Sequence, residues 1–491
     1  MTTSSITIPG PALDAVERLF ADRASPEHAP SSSWGVFTRT GLVRTGSTGV
    51  IVEEGDTQGV PPTSATVYRI ASCTKSFTAT ALLALRDEGA LNLDQPITDF
   101  VPAFAEVRLP TLDSPVPTVR MLLTMSGGFP TDDPWGDRQE SITDGELDAL
   151  LRRGLSFDSV PGTRFAYSNL GYALLGRVVA EAAGRPFRDV VTDRILRPLG
   201  LASTTFTVPG GLAHTAIGHR RRGGVWEPLA FSGPGLFSSI GGLFSTVDDL
   251  SRWARWLASA FDQGDGDAPG DHPGILSRAS RREMQQAYRD IPGRANPIGY
   301  GFGVMVEHDP ELGPIVSHSG GYPGFSAHMR WHPASGVGVV GFENATYAQV
   351  SVPVTTALHG LLREVGAAPA TTIWPETAAA RTVVEQAVTA GAEIPPSLLS
   401  ENVDLDIPFP SRRAAWAEAI GSIGPLVKPP AHDDTSLVVA SAAGEESSAP
   451  SHLVWRLPGE RGSLRIEIRL TPESPPRVQT LVVRAEPPRQ P

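Results

Sequence analysis

The segment from Ser72 to Glu88 has the clearest helical pattern in this sequence and constrains the fold more than any other feature. Apolar residues recur there at intervals that place them on one face of an α-helix. Gly89 follows and can take the left-handed conformation that commonly ends a helix. The apolar face has to be covered, so we expect this helix to pack into a core built from distant parts of the chain. The apolar positions are Phe77, Ala81, Leu82 and Leu85.

The first residues of this helix, Ser72-Cys73-Thr74-Lys75, form an S-x-x-K motif. Residues three apart share a helix face, so the Lys75 amine can reach the Ser72 hydroxyl. A serine hydroxyl becomes a nucleophile when a base takes its proton, and a lysine is a base only if burial or positive neighbours lower its pKa. This spacing is common in proteins. If the S-x-x-K motif stood alone, the better interpretation would be that Ser72 caps the helix and Lys75 lies on the surface.

Two further motifs change that interpretation. Tyr167-Ser168-Asn169 precedes a second amphipathic helix, and His318-Ser319-Gly320-Gly321 follows a strand-like run. In order and spacing the three motifs resemble the serine β-lactamase and penicillin-binding-protein superfamily, which has S-x-x-K, then Y-x-N, then K-T-G or H-x-G. The resemblance extends from Leu13 to Leu362. Y-x-N in place of S-D-N favours the class C type branch, which includes family VIII esterases, D-amino-acid-specific peptidases and acyl transferases.

The resemblance implies a role for each motif residue. Ser72 would attack a carbonyl carbon and form an acyl-enzyme, while Lys75 and Tyr167 move protons between the hydroxyl, the leaving group and water. A tyrosine titrates near pH ~10, so Tyr167 would need Lys75 beside it to act as a base at neutral pH. Asn169 would bind Lys75 or a substrate carbonyl. The substrate would contact the third motif, which consists of His318, Ser319, Gly320 and Gly321. The backbone N–H groups of Ser72 and Gly321 would form the oxyanion hole.

The third motif departs from many β-lactamases and carboxypeptidases, which place a lysine where this chain has His318. A neutral histidine attracts a substrate carboxylate less strongly, which favours a hydrolase of esters or amides. The expected substrate is a small-molecule ester, amide or peptide, and a D-amino-acid-specific peptidase or acyl transferase of the same fold is the alternative. A binding protein that has lost turnover is the non-enzyme alternative. Apolar substrate contacts and ordinary loop packing are equally good explanations for four aromatic residues in loops: Trp135, Trp226, Phe231 and Phe237.

Charge and composition limit the partners. The 41 basic and 53 acidic residues give a formal net charge of -12, which argues against nucleic acid or an anionic membrane surface. No apolar stretch reaches the ~20 residues of a transmembrane helix, and residues 1 to 10 lack a secretory signal pattern, so we expect a cytoplasmic protein. There is no metal-ligand, dinucleotide or P-loop motif, so we expect no metal and no cofactor. A homo-oligomer is possible.

The resemblance and the strand and helix patterns together predict an α/β (α+β) architecture. An antiparallel sheet should be flanked by helices, with a mostly helical lobe beside it and a small C-terminal α+β domain after it. We expect a catalytic domain over residues 1–365, a linker over 366–377 and a second domain over 378–491, whose role is structural or in dimerisation. Within that second domain, 381–399 is predicted to be helical. An acidic, turn-rich segment at 262–274 is predicted to be a loop.

Overall fold

The computed structural model describes residues 6–23, 28–51, 59–208, 214–262, 272, 274–367, 370–427, 438–440 and 445–487. Most of the acidic loop predicted at 262–274 lies outside these residues. The chain divides into two compact units, Met1–Ala367 and Ala368–Pro491. This division falls inside the predicted linker, part of which is ordered as a strand and as the start of a helix in the second unit.

Helices and strands alternate irregularly along the chain. The helices are α1 (Gly10–Asp22), α2 (Thr74–Asp87), α3 (Val119–Leu123), α4 (Asp133–Gly136), α5 (Asp144–Arg153), α6 (Asn169–Ala183), α7 (Phe187–Val191), α8 (Ser238–Gly241), α9 (Val247–Ala258), α10 (Arg278–Met284), α11 (Ser351–Glu364), α12 (Pro375–Ala390), α13 (Asn402–Asp406) and α14 (Phe409–Ile423). The strands are β1 (Ser31–Thr38), β2 (Gly41–Gly49), β3 (Tyr68–Arg69), β4 (His219–Arg222), β5 (Val225–Pro228), β6 (Phe244–Ser245), β7 (Arg289–Asp290), β8 (Ile298–Tyr300), β9 (Met305–Asp309), β10 (Gly313–Tyr322), β11 (Phe325–Trp331), β12 (Gly338–Glu343), β13 (Ala370–Thr372), β14 (Val438–Ala440), β15 (His452–Gly459), β16 (Gly462–Leu470) and β17 (Val478–Glu486).

The first unit is built on an eight-stranded antiparallel sheet in the order β2-β1-β12-β11-β10-β9-β8-β7. Strands from both ends of the unit meet where β1 pairs with β12. Side chains alternate between the two faces of the sheet, and both faces are covered. On one face α1 and α11 pack against the sheet, where Phe20 stacks on Trp34 with ring centroids 5.0 Å apart.

On the other face of the sheet, α2 and α9 join the core that continues into a helical lobe containing α3, α5 and α6. Phe77 of α2 stacks on Trp253 of α9 with ring centroids 3.8 Å apart. Residues Thr74 through Leu85 of α2 are buried, because sheet and lobe surround the helix together. The predicted antiparallel sheet with flanking helices and a lobe is confirmed.

The second unit has its own core, formed by helices α12 and α14 and the antiparallel sheet β15-β16-β17. The helix predicted over 381–399 instead begins at Pro375 and ends at Ala390. Gly391 takes a left-handed conformation at φ 72°, and this terminates the helix. None of the helices in the described ranges is long and apolar enough to cross a bilayer.

Candidate active site

Ser72 lies in a single 3-10 turn, Ala71–Cys73, that leads directly into α2. Ala71 has a φ of 46°, a left-handed conformation that is costly for a residue with a Cβ. Close packing enforces it, since an ideal Cβ on Gly320 would lie 2.3 Å from the carbonyl oxygen of Ile70. The α-helix therefore begins two residues later than the sequence pattern predicts. The turn holds Ser72 at the N-terminal end of α2 with 7% of its surface exposed.

Lys75 lies fully buried behind Ser72 and donates three hydrogen bonds. Its Nζ is 2.9 Å from Ser72 Oγ, 2.7 Å from Asn169 Oδ1 and 3.0 Å from the carbonyl oxygen of Ile240. The three acceptors come from the turn before α2, from α6 and from α8, so the amine links these three elements. This burial excludes the interpretation of Lys75 as a surface residue.

The environment of Lys75 lowers its pKa to about 8, mainly because burial disfavours the charged form. The carboxylates of Asp133, Asp137 and Asp132 oppose this shift, and they keep the pKa from falling further. Near neutral pH a substantial minority of the amine is therefore unprotonated. Lys75 has the proton affinity expected of a general base.

Asn169 begins α6, and its position is fixed by the acidic segment before α4. Asp132 accepts hydrogen bonds from the backbone N–H groups of Asn169 at 2.5 Å and Leu170 at 2.9 Å. Ser168 is the N-cap of α6, and its side chain accepts from the N–H of Gly171. The Asn169 side chain donates to Asp133 Oδ1 at 3.0 Å, which leaves its oxygen directed at Lys75.

Tyr167 is half-buried above this group. Lys75 Nζ lies 5.0 Å from the centroid of its ring. Burial raises the pKa of Tyr167 well above 10, the charges of Asp133 and Asp137 raise it further, and a hydrogen bond with Ser72 opposes them. Tyr167 is therefore a neutral phenol near pH 7. This raised pKa differs from the expectation that Lys75 would lower the pKa of Tyr167. The Lys75 ammonium faces the Tyr167 ring, and burial has the largest effect on the pKa of the phenol.

The third motif lies on β10, where the pairing with β9 ends at Ser317 while the pairing with β11 continues to Tyr322. His318 is buried, with its Nε2 3.0 Å from the hydroxyl of Tyr300 and its Nδ1 2.6 Å from the carbonyl oxygen of Ser319. Burial, and then the charge of Lys75, lower the pKa of His318 to about 3. The histidine is neutral at pH 7, so it supplies no fixed charge for a carboxylate.

The other three residues of the third motif, Ser319, Gly320 and Gly321, each have different contacts. Ser319 Oγ lies 2.8 Å from Nδ1 of His328 on β11. Gly320 packs against Ile70 and Ala71, and Gly321 lies beneath Tyr347, whose Cδ1 would be 2.7 Å from a Cβ at that position. The structure thus brings all three motifs to one cleft, although the side chains of His318 and Ser319 have their own partners in the sheet.

Four further residues at this site were not identified from the sequence. They are the carboxylates of Asp133 and Asp137, the carbonyl of Ile240 and the phenol of Tyr347. Tyr347 donates a hydrogen bond to Asp137 Oδ2 at 3.0 Å. A backbone carbonyl leaves no sequence signal. The Asp132-Asp133 pair before Pro134 is a weak signal for the start of α4, but the Asp132 side chain instead accepts from the first backbone N–H groups of α6.

A buried ion pair lies close to the turn that carries Ser72. Arg69, three residues before Ser72, pairs with Glu140, and the two side chains are 1% and 3% exposed. Arg69 also donates to the carbonyl oxygen of Gly241 at 3.0 Å and stacks on Tyr322 at 3.8 Å from the ring centroid. This pair links β3, the lobe and β10 around the cleft.

Within the described residues, one group of side chains has the spacing of metal ligands: Glu307, Asp309 and His359. Arg330 forms an ion pair with Glu307, and its Nη2 lies 3.3 Å from His359 Nε2. The Arg330 guanidinium therefore places a positive charge beside Glu307 and His359. These side chains lie outside the three catalytic motifs.

Comparison with known proteins agrees with this geometry. Residues 16–363 match the model of the β-lactamase family. The chain is 30% identical over 284 residues to the D-alanyl-D-alanine-carboxypeptidase/endopeptidase AmpH of Escherichia coli K12, covering 57% of this chain and 71% of that protein.

Two solved structures share the fold. The octameric penicillin-binding protein homologue from Pyrococcus abyssi has a TM-score of 0.61 at 20% identity, covering 94% of this chain and 96% of its own. A class C β-lactamase has a TM-score of 0.58 at 20% identity, covering 72% and 96%. Since the family match contains all three motifs that converge on the cleft, the chain belongs to the β-lactamase family and is a serine hydrolase that acts on amides or esters through an acyl-enzyme.

Proposed function

We propose that Ser72 is the acylated nucleophile and that the protein hydrolyses esters or amides without a free carboxylate beside the reacting carbonyl. The observation that carries the assignment is the hydrogen-bond set of Lys75. Two of its partners, Asn169 Oδ1 and the carbonyl oxygen of Ile240, can only accept. A neutral amine has two N–H groups and one lone pair. When both N–H groups bind these acceptors, the lone pair faces the Ser72 hydroxyl and can take its proton.

Tyr167 then acts as a neutral hydroxyl in the proton path. It accepts or passes a proton between Ser72 and the departing alcohol or amine without becoming a stable phenolate, since burial raises its pKa far above neutrality. After the leaving group departs, Lys75 and Tyr167 activate the water that hydrolyses the acyl-enzyme. Asn169 holds the amine in position.

The negative charge that develops on the carbonyl oxygen is stabilised by the backbone N–H groups of Ser72 and Gly321. Ser72 lies at the start of α2, where the helix dipole favours an anion. Gly321 lies in the part of β10 that extends beyond β9. Gly320 supports this arrangement because its missing side chain lets β10 approach the turn that carries Ser72.

The charges around the cleft favour neutral or cationic substrates. His318 is neutral, and the Asp133 carboxylate adds negative charge near Lys75, joined by Asp137 when the pH exceeds the Asp137 pKa of about 7. The third motif therefore gives a substrate carboxylate no fixed positive charge. An ester or neutral amide is therefore the first substrate class.

A D-amino-acid-specific peptidase is the second candidate, because a free ammonium group would be attracted by the Asp133 carboxylate. The relative AmpH bears the name of a D-alanyl-D-alanine carboxypeptidase and endopeptidase. Acyl transfer to an acceptor other than water would use the same acyl-enzyme. A binding protein that has lost turnover would bind ligands, but it would form no covalent adduct and release no burst of product.

Intact-mass detection of the acylated protein tests these assignments. The protein is incubated with p-nitrophenyl esters, D-aminoacyl amides and nitrocefin, and both adduct mass and product release are followed. We expect adducts with the neutral esters, and none in Ser72→Ala. Cys73→Ala is the matched control, because burial raises the pKa of this neighbouring thiol to about 12 and it should not react. Turnover that persists in Ser72→Ala would reject the proposal.

Self-association and location complete the proposal. The Pyrococcus abyssi homologue is octameric and matches nearly the full chain, so we propose that this protein forms homo-oligomers, with the second unit in a structural role or joining subunits. Light scattering of the full chain would test this. A cytoplasmic location stays a prediction, to be checked by cell fractionation.

A further inference from the structure

Tyr300 contacts residues of two catalytic motifs although it belongs to neither. It is the last residue of β8 and is fully buried. Its ring lies edge-on to that of Tyr167, with centroids 6.1 Å apart, and its hydroxyl oxygen is 3.0 Å from Nε2 of His318. A buried hydroxyl group is costly without a hydrogen-bond partner, so this contact fixes the Tyr300 and His318 side chains relative to each other.

The partners of His318 determine which of its ring nitrogens carries the proton. Nδ1 lies 2.6 Å from the carbonyl oxygen of Ser319, which can only accept a hydrogen bond, so the proton is on Nδ1. The ring is neutral because burial lowers the pKa of His318 to about 3, and a neutral imidazole has a single N–H group. Nε2 is therefore an acceptor, and the Tyr300 hydroxyl donates to it.

A second hydroxyl near Tyr300 leaves this bond in place. Tyr172 also forms a hydrogen bond with Tyr300, but its own proton is donated to the carbonyl oxygen of Leu123 at 2.9 Å. If the Tyr300 proton were directed at Tyr172, the Nε2 lone pair of His318 would face an oxygen lone pair with no proton between them. The Tyr300 proton is therefore directed at His318.

The carbonyl group that accepts from His318 lies on the edge of β10 that β9 leaves uncovered. Tyr322 and Phe325 pair across a two-residue turn, and hydrogen-bonded pairs alternate along an antiparallel ladder from such a closing pair. By this alternation the C=O of Ser319 and the N–H of Gly321 both point away from β11. The pairing between β10 and β9 has already ended there. The His318 ring binds the first of these groups, and the second is left for a substrate oxygen.

We propose that Tyr300 is a positioning residue of the oxyanion hole, which it orients by holding the His318 ring against the carbonyl group of Ser319. This hydrogen-bond relay, from Tyr300 through His318 to Ser319, fixes the strand edge that carries the Gly321 N–H at the point where β9 no longer supports it. A lysine in place of His318 has no acceptor atom and could not take the Tyr300 proton. The inference rests on the proposed function, because the oxyanion forms when Ser72 attacks a carbonyl.

Tyr300→Phe tests the relay because it removes the hydroxyl and keeps the ring. We expect kcat/KM for p-nitrophenyl acetate to fall about tenfold. The thionoester with the same acyl and leaving groups depends less on the oxyanion hole, because sulfur accepts hydrogen bonds poorly, and its kcat/KM should fall less than about threefold. Tyr288→Phe is the matched control before β7, where the ring stacks on Phe302 at 4.5 Å, and it should change neither value. Equal losses with both substrates in Tyr300→Phe would overturn the proposal, since a purely structural defect affects them alike.

A double-mutant cycle with His318→Leu tests whether Tyr300 acts through the ring. Once the ring is absent, Tyr300→Phe should cause no further loss in the ester-to-thionoester ratio, and additive losses would overturn the relay. Histidine ¹⁵N NMR of the unaltered protein gives a test that does not depend on the folding of any variant. The His318 signals, assigned through the backbone, should show the proton on Nδ1 from pH 6 to 8, and a proton on Nε2 would overturn the relay.

Intact-mass measurement on the same samples separates two kinds of failure. Adducts on Ser72 of the unaltered protein, together with equal ester and thionoester losses in Tyr300→Phe, would overturn the relay and leave the proposed function standing. The lack of any adduct with either substrate would reject the proposed function, and the relay with it.

Discussion

Lys75 Nζ lies 2.7 Å from Asn169 Oδ1, and this hydrogen bond joins the first two sequence motifs across 94 residues of chain. The bond does more than hold two helices together. Because the side-chain amide nitrogen of Asn169 donates to Asp133 Oδ1, the amide oxygen is the atom that faces the amine. Lys75 is thereby oriented with one position left for the Ser72 hydroxyl, and the chemistry depends on that orientation.

Acylation should depend on pH through Lys75. Its pKa of about 8 means that the rate should rise about tenfold per pH unit below 7 and level off above pH 8, as the amine loses its proton. Pre-steady-state release of p-nitrophenol between pH 5.5 and 9.5 measures this. Lys75→Arg keeps the charge but cannot lose a proton, so it should lower acylation by at least about 10³-fold. A pH-independent rate, or an active Lys75→Arg variant, would contradict the role of Lys75 as a base.

Gly136→Ala should disturb Asn169. An ideal Cβ on Gly136 would lie 2.5 Å from the Cβ of Asn169, so the side chain has to move away from Lys75. We expect a loss of about 1–3 kcal/mol in the free energy of unfolding and a larger loss in kcat than in KM. Gly145→Ala is the matched control, since its Cβ would meet nothing within 4 Å. Urea unfolding and steady-state kinetics of both variants give the comparison, and equal effects would refute this account.

Asp137→Asn should stabilise the protein more at high pH than at low pH. Burial raises the pKa of Asp137 from 3.8 to about 7. Between these values the unfolded chain has released a proton that the folded protein retains, so ionisable Asp137 costs stability as the pH rises from about 4 to 7. Asparagine removes that cost. We expect the variant's gain in unfolding free energy to be about 1–3 kcal/mol larger at pH 8 than at pH 5.

Urea unfolding at both pH values measures the gain. Asp113→Asn provides the control on an exposed carboxyl whose pKa is lowered, mainly by a hydrogen bond from Thr111. It should give no extra gain at pH 8. An equal gain for Asp137→Asn at both pH values would show that the carboxyl is not held in its protonated form by the fold.

Breaking the Arg69–Glu140 pair should be more harmful than removing both charges. Both side chains are almost fully buried, so Glu140→Leu leaves an uncompensated guanidinium. We expect that variant to lose about 3–5 kcal/mol in the free energy of unfolding. The double variant with Arg69→Met should recover part of this loss, and a double-mutant cycle by chemical denaturation measures the coupling. Additive losses would mean that the pair is not coupled.

Much of the catalytic unit could be predicted from local sequence. The apolar spacing of α2, the glycine after it and the strand pattern before the third motif are short-range signals, and the structure agrees with them. The spacing of Ser72 and Lys75 also fixes their proximity, because residues three apart on a helix share a face. Boundaries were less accurate: α2 begins at Thr74 because packing forces a tight turn at Ser72, and α12 ends at Ala390 because Gly391 turns the chain.

The sequence by itself determined the motif residues, the order in which they occur and the presence of a histidine in the third motif. Tertiary structure alone decided the protonation state of these groups, since the pKa values of Lys75, Tyr167 and Asp137 depend on burial by segments far away in the chain. It also decided the Tyr347–Asp137 contact and the carbonyl of Ile240, which have no local signal. Hydrogen bonds and desolvation act through space, whereas sequence patterns report only neighbours along the chain.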